Sequence, residues 1–146
     1  MSLTISSMSA VKPVKPGRYV AQFDASWFKG PGACGGLVFA ALANAFKAAQ
    51  DSEDRQLRSL SVQLCAPAPQ GPLSIEVETV RSGKRICHMR ALMKSEKETI
   101  AIASAVMGSG RPNSYDFNEF KMPEATKPED CLRLPALPAD IAYIQH

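Results

Sequence analysis

Few residues in this chain have the type and spacing to do chemistry. Gly35 and Gly36 stand directly before a run rich in Ala and Leu. The first N–H groups of a helix have no partner inside it and point outward along a favourable dipole, and glycine lets a polar group come close. The pair suits the polarisation of a carbonyl, and it equally suits tight turning or close packing. Asn44 lies in the same run, about a hundred degrees from the centre of its apolar stripe. An amide can orient water but cannot take a proton; Asn44 also reads as a buried amide satisfied by backbone or by a partner subunit. Arg81, Lys84 and Arg85 cluster around one turn. Such cations attract phosphates, and they also decorate solvated hairpin tips. Ser59, Ser61 and Gln63 form one polar face of a strand, which either lines a pocket in a dimer or meets solvent. Asp24, shortly before Trp27, caps a turn or acts as a base near the helix start. His88 shares a strand face with Arg90, and histidine is a side chain suited to acid–base work. No Ser or Cys nucleophile motif accompanies it, so it reads as a surface residue.

Other chemistries are excluded. The four cysteines, Cys34, Cys65, Cys87 and Cys131, form no C-x-x-C pair and no zinc-type spacing with histidine. Three lie in or beside apolar stretches and read as buried reduced thiols, which points to the cytoplasm. There is no P-loop, and no G-x-G-x-x-G follows a strand. No metal or cofactor is implied. A net charge of +3 over 146 residues is too mild for a nucleic-acid partner. The longest uninterrupted apolar run, residues 37–43, is far short of the ~20 residues that span a bilayer. No signal peptide is read: Lys12 and Lys15 have no apolar stretch beside them.

The elements that must position these residues follow from periodicity. With 45% hydrophobic and 21% charged residues, the chain can bury a core. Residues 18–24 alternate, with Tyr19 and Phe23 on one face, and predict a short strand. Lys29-Gly-Pro-Gly32 is a turn. Leu37, Val38, Ala41, Leu42, Ala45, Phe46 and Ala49 fall on one helical stripe. Without a strong polar face at Phe39, Ala40 and Ala43, this helix is expected to be wrapped on most sides, ending in a polar loop at residues 50–54. Four strands follow around Leu60–Leu64, Leu73–Val77, Cys87–Met93 and Ile100–Met107, separated in part by turns at Ser82-Gly-Lys84 and Ser95-Glu-Lys-Glu98. The last is apolar on both faces apart from Ser104, which predicts a central strand. Short turns make antiparallel neighbours. One buried helix against one curved antiparallel sheet of five to six strands is an α+β design. Residues 1–17 read as a flexible leader and 18–110 as the domain. Residues 111–146, holding five of the eleven prolines, read as an extended tail whose Leu134-Pro-Ala-Leu-Pro138 could lie along a groove.

This order is that of the hotdog fold, a sheet wrapped around a central helix. Cys34-Gly-Gly-Leu-Val-Phe-Ala-Ala-Leu-Ala-Asn-Ala45 resembles the Gly-Gly helix start of acyl-CoA thioesterase II-like (TesB-like) proteins. Arg58-Ser-Leu-Ser-Val-Gln-Leu-Cys-Ala-Pro67 is similar to that family's second strand. Gly71-Pro-Leu-Ser-Ile-Glu-Val-Glu-Thr-Val-Arg-Ser-Gly-Lys84 resembles its third strand and Arg-x-Gly-Arg/Lys turn. The family usually carries two hotdog repeats, and the resemblance, over residues 23–108, is to the first. It implies a pairing with another copy or with a separate second hotdog chain, or else a fragment of a longer protein.

The resemblance also implies the chemistry: an acyl-CoA thioester hydrolysed to acid and CoA by direct attack of water, with Gly36, Asn44 and Ser61 as catalytic candidates. Gly35, Gly36, Arg81, Lys84 and Arg85 would hold the substrate. The family's active residues are an Asp on the helix, a Thr or Ser, and a Gln on the last strand, all in the second repeat. Asn44 stands about where that Asp falls, Met107 about where the Gln falls, and residues 57–61 cover the hydroxyl. The acid–base set is therefore incomplete here, which favours the alternative of a non-catalytic hotdog module that binds acyl ligands or completes an assembly. A hotdog dehydratase or hydratase would want a His or Asp on the helix, and none is there.

Overall fold

The computed structural model describes residues 4–110 and 118–132, and the chain divides into two units, Met1–Gly110 and Arg111–His146. The first unit begins with a single helical turn, Ile5–Met8 (α1), closed by a reciprocal cap between Thr4 and Ser7. It continues with Val11–Lys15 (β1), Arg18–Phe23 (β2) and a 3-10 turn at Ala25–Trp27. The small hairpin Phe28–Lys29 (β3) and Gly32–Ala33 (β4) leads into Gly35–Ala49 (α2). Gln56–Leu64 (β5), Gly71–Ser82 (β6), Ile86–Lys94 (β7) and Thr99–Gly108 (β8) complete it. Six strands form one antiparallel sheet in the order β1-β2-β6-β7-β8-β5.

Period-2 alternation decides which face of the sheet is dry. Cys87, Met89, Ala91 and Met93 of β7 and Ala101, Ala103, Ala105 and Met107 of β8 all turn to the buried side. There α2 lays down Leu37, Val38, Ala41, Leu42, Ala45 and Phe46, the stripe expected from the sequence. Fully burying a side chain such as Phe46, 0% exposed, contributes about 1.5–3 kcal/mol. β8 lies between β7 and β5, inside the sheet as its two-sided apolarity predicts.

Three expectations are corrected. Residues 11–15, read as part of a leader outside the domain, form β1 on β2, with Val11 opposite Ala21, and Met8 is buried in the core. Lysines and Pro13 hide this strand from a periodicity reading, and its place at the sheet edge is where proline is tolerated. The helix is not wrapped on most sides: Gly36, Phe39, Lys47 and Ala48 are exposed, and Ala40 and Ala43 half-buried. Only Cys87 is a buried thiol; Cys34, Cys65 and Cys131 are exposed, because they lie at or beyond element ends rather than within them, and all four are free.

In the second unit the described residues are exposed, with one 3-10 turn at Pro128–Asp130. The segment Leu134–Pro138 lies outside the described residues.

Candidate functional site

The N-terminal end of α2 is open. Cys34 is its N-cap and makes no side-chain cap, and Leu37 N–H already bonds Cys34 O at 2.9 Å. The N–H groups of Gly35 and Gly36 have no acceptor within the helix. A Cβ placed on Gly36 would meet only Cys34 Sγ at 3.8 Å, and one on Gly35 only Leu64 Cδ1 at 3.4 Å. Packing among the described residues therefore does not demand glycine at either position. Gly32, three residues earlier, is the contrast: a Cβ there would lie 2.9 Å from both Ala68 O and Pro67 Cβ. Beside the diglycine is an apolar cleft of about 290 Å³, lined by Ala33, Gly35, Val38, Leu64, Cys65 and Pro67 among others.

The approach to this end is fixed by local bonds. Ala33 N–H bonds Ala68 O at 2.9 Å, tying the β3–β4 hairpin to the segment after β5. Asp24 caps the 3-10 turn, its Oδ1 accepting from Ser26 N–H at 2.9 Å. That backbone bond, reinforced by the Ser26 side chain, holds the Asp24 carboxyl below its usual range. This makes it a weaker base than a free aspartate.

Asn44 is nine residues into the helix from Gly35, about 13 Å along its axis at 1.5 Å per residue. Its Nδ2 donates to Ser9 O at 2.9 Å and to Ser9 Oγ at 3.1 Å. The amide thus fastens the segment before β1 to the helix, at the edge of a polar groove shared with Ser6, Lys47, Gln50 and Gln56. Ser61 pairs with Ser104 on β8 and alternates with the half-buried Leu60 and Val62. The pleat therefore puts Ser59, Ser61 and Gln63 on the outer face of the sheet, away from α2. Met107 is buried on the inner face, 1% exposed. The structure does not bring Gly36, Asn44 and Ser61 together: they occupy the helix start, the helix middle and the far side of the sheet.

Arg81, Lys84 and Arg85 stand exposed on the β6–β7 hairpin tip, around a cleft of about 400 Å³ that Ile86 and His88 also line. Arg81 faces His88 across the strands. None of the three cations is ion-paired among the described residues, whereas Arg90 pairs with Glu78 at 2.8 Å and Arg18 with Glu76 at 3.2 Å. The tip is held by Arg55, 5% exposed, whose guanidinium reaches Asp51 Oδ1 at 2.5 Å, Ser82 Oγ at 3.1 Å and Gly83 O. Ser82 Oγ donates in turn to Asp51 Oδ2 at 3.2 Å. Arg55 escapes the sequence reading because it follows a polar run taken as solvated loop; the only hint is its i,i+4 spacing from Asp51. This joint sits at the C-terminal end of α2. Fourteen steps of 1.5 Å separate Gly35 from Ala49, so the diglycine and the basic tip mark helix ends about 21 Å apart.

Among the described residues no group of three or more His, Cys, Asp or Glu could hold a metal ion, and no helix is long and apolar enough to cross a membrane.

Residues 23–108 match the profile of the acyl-CoA thioesterase N-terminal domain. Among solved structures, the chain is similar to a conserved protein of unknown function with hotdog fold from Alicyclobacillus acidocaldarius. The identity is 27% and the TM-score 0.75, over 96% of this chain and 52% of that one. It is also similar to the tesB protein of Mycobacterium avium subspecies paratuberculosis, at 20% identity and TM-score 0.70 over 86% and 48% of the two chains. The acyl-CoA thioesterase II TesB2 of Mycobacterium marinum gives 20% and 0.69 over 87% and 46%. The chain thus spans about half the length of these structures. No curated protein sequence matches it.

Proposed function

The chain belongs to the acyl-CoA thioesterase N-terminal domain family, and on that premise we propose that it holds a fatty or other acyl-CoA thioester for hydrolysis to acid and CoA by direct attack of water. The observation that carries this reading is the open diglycine: two N–H groups at a helix start, beside an apolar cleft, at positions whose glycines packing does not require. In this role the Gly35 and Gly36 N–H groups receive the thioester oxygen as charge develops on it. The acyl chain enters the cleft toward Leu64 and Val38, and Arg81, Lys84 and Arg85 meet the phosphates of CoA.

The water needs a base, and none of the candidates read from the sequence supplies one at the diglycine among the described residues. Asn44 spends its amide protons on Ser9, and Met107 can take no proton. A second hotdog unit is therefore part of the proposal. β5 is an exposed edge strand, which invites pairing. Two copies joined through β5 by a two-fold axis pair antiparallel, so the Leu64 end of one meets the Gln56 end of the other. The diglycine of one copy then lies at the same end of the assembly as the basic tip of its partner. Free, exposed thiols are compatible with a reducing cytoplasm, where we place the protein.

Turnover of a panel of acyl-CoAs by the chain, compared with Gly36→Val, tests the reading. Hydrolysis by the native chain and its loss in the variant is expected; equal rates would overturn it. The missing base also favours a second reading, a non-catalytic module that binds acyl ligands. Stabilisation of the fold by an acyl-CoA without turnover would select it.

A further inference from the structure

We propose that Arg55 is a positioning residue that presets the β6–β7 hairpin tip to receive the phosphate-bearing end of a CoA ester, an inference that rests on the acyl-CoA reading above. Three observations converge on it. Arg55 is the one buried charged side chain among the described residues. All its bonds go to the two segments it joins: Asp51 on the loop after α2, and Ser82 and Gly83 on the tip. The tip so held displays Arg81, Lys84 and Arg85 without an ion-pair partner among the described residues.

A merely stabilising joint has no need of this chemistry. Taking a guanidinium out of water costs several kcal/mol, and its carboxylate partner Asp51 is 66% exposed, where water screens their attraction. Arg55 Nε is moreover buried without a hydrogen-bond partner, a cost that an apolar joint would avoid. What the guanidinium supplies is a fixed fork: two nitrogens on two strand-end groups plus a carboxylate. Three like charges on a short turn repel one another and would spread if the tip were free. Holding them in place leaves their repulsion to be relieved by an arriving anion, and the ordering has already been done before binding. A group with more than one phosphate, such as the nucleotide end of CoA, matches three convergent cations better than a lone carboxylate does.

The test compares CoA with pantetheine, which lacks the phosphates, by calorimetric titration of the full chain at fixed ionic strength. The native chain is expected to bind CoA more tightly than pantetheine, and the triple variant R81A/K84A/R85A to lose that preference. Arg55→Met is expected to weaken CoA about tenfold with pantetheine unchanged, and Arg55→Lys to restore part of the loss. Should Arg55→Met fail to fold, Ser82→Ala removes the two Ser82 Oγ bonds of the clamp, leaves those of Arg55 to Asp51 and Gly83, and is expected to shift the same ratio in the same direction by less. A merely structural Arg55 would weaken both ligands alike. That result, an unchanged CoA affinity in Arg55→Met, or no preference for CoA in the native chain, would overturn the proposal. Because the readout is binding, absence of hydrolysis with every acyl-CoA would count against the thioesterase reading alone.

Discussion

At its first residues α2 presents two glycines that carry no packing duty among the described residues, Gly36 exposed and Gly35 half-buried, beside an apolar cleft. At its last residues the same helix runs into a loop tied to a neighbouring hairpin by a buried guanidinium, a carboxylate and a serine. One end offers unsatisfied donors and no side chains; the other offers side chains whose places are set by other side chains. The difference suits two parts of one ligand. A reacting carbonyl needs donors at short range in a dry setting, whereas a phosphate group needs charge, held still, in a place water can reach.

The largest effect should come from obstructing the open end. Gly36→Val is expected to lower turnover by about a hundredfold, the scale of losing one oxyanion donor. Its thermal midpoint should not fall, because the new Cβ meets only Cys34 Sγ at 3.8 Å. Gly32→Ala is the control with the signs reversed. Its Cβ collides with Ala68 O and Pro67 Cβ, both at 2.9 Å, and overpacking of that kind costs about 1–3 kcal/mol. A midpoint drop in Gly36→Val as large as in Gly32→Ala would make the diglycine a packing device and remove the contrast between the ends.

A second experiment asks whether the two ends serve the same ligand from one copy or from two. Gly36→Val and R81A/K84A/R85A should each be weak in acyl-CoA turnover at low substrate. Mixed and allowed to reassort through β5, they are expected to recover about a quarter of native activity, because half the dimers are mixed and each of those holds one site with both ends intact. No recovery, in a mixture shown to reassort, would mean that the ligand lies along a single helix.

Asn44→Ala should do less. Removing the amide frees Ser9 O and Oγ, and loss of hydrogen bonds of this kind costs about 0.5–1.5 kcal/mol. Faster hydrogen exchange in residues 4–10 is the expected sign, with turnover reduced less than tenfold. A loss matching that of Gly36→Val would move Asn44 from the joint into the machinery.

These contrasts mark what the sequence makes legible. The helix stripe and the strands β6, β7 and β8 follow from periodicity because each has one dry face, and β5 because Leu60 and Val62 are half-buried between exposed neighbours. The diglycine is legible as a helix start. That its glycines are free of packing duty among the described residues is not, since it depends on where the fold puts Leu64, on another element, and the side chain of Cys34. β1 is hidden because an edge strand with one proline and two lysines has no dry face to show. The resemblance groups Ser61 and Asn44 as catalytic candidates, yet the sheet lies between them: a strand residue's face is set by its register with β8, which no local pattern records. Arg55 is unreadable for the same reason, its meaning lying in Ser82 and Gly83, more than 25 residues away.

The smallest effect concerns Asp24, which caps the turn leading to the open end. Its carboxyl is held below the usual range by the Ser26 backbone N–H and then by the Ser26 side chain. A folded pKa below the unfolded value of about 3.9 means the cap contributes stability above that pH, and loses it as pH falls through the folded value. Asn caps about as well as Asp, so Asp24→Asn should sit slightly below the native chain in thermal midpoint at neutral pH, and the gap should close on acidification from pH 5 toward pH 2. Turnover at neutral pH should be the same in both. Should Asp24→Asn instead keep its midpoint and lose turnover, the carboxylate would be acting on the substrate. The open end would then possess its own base, and the requirement for a second hotdog unit to activate water would fall away.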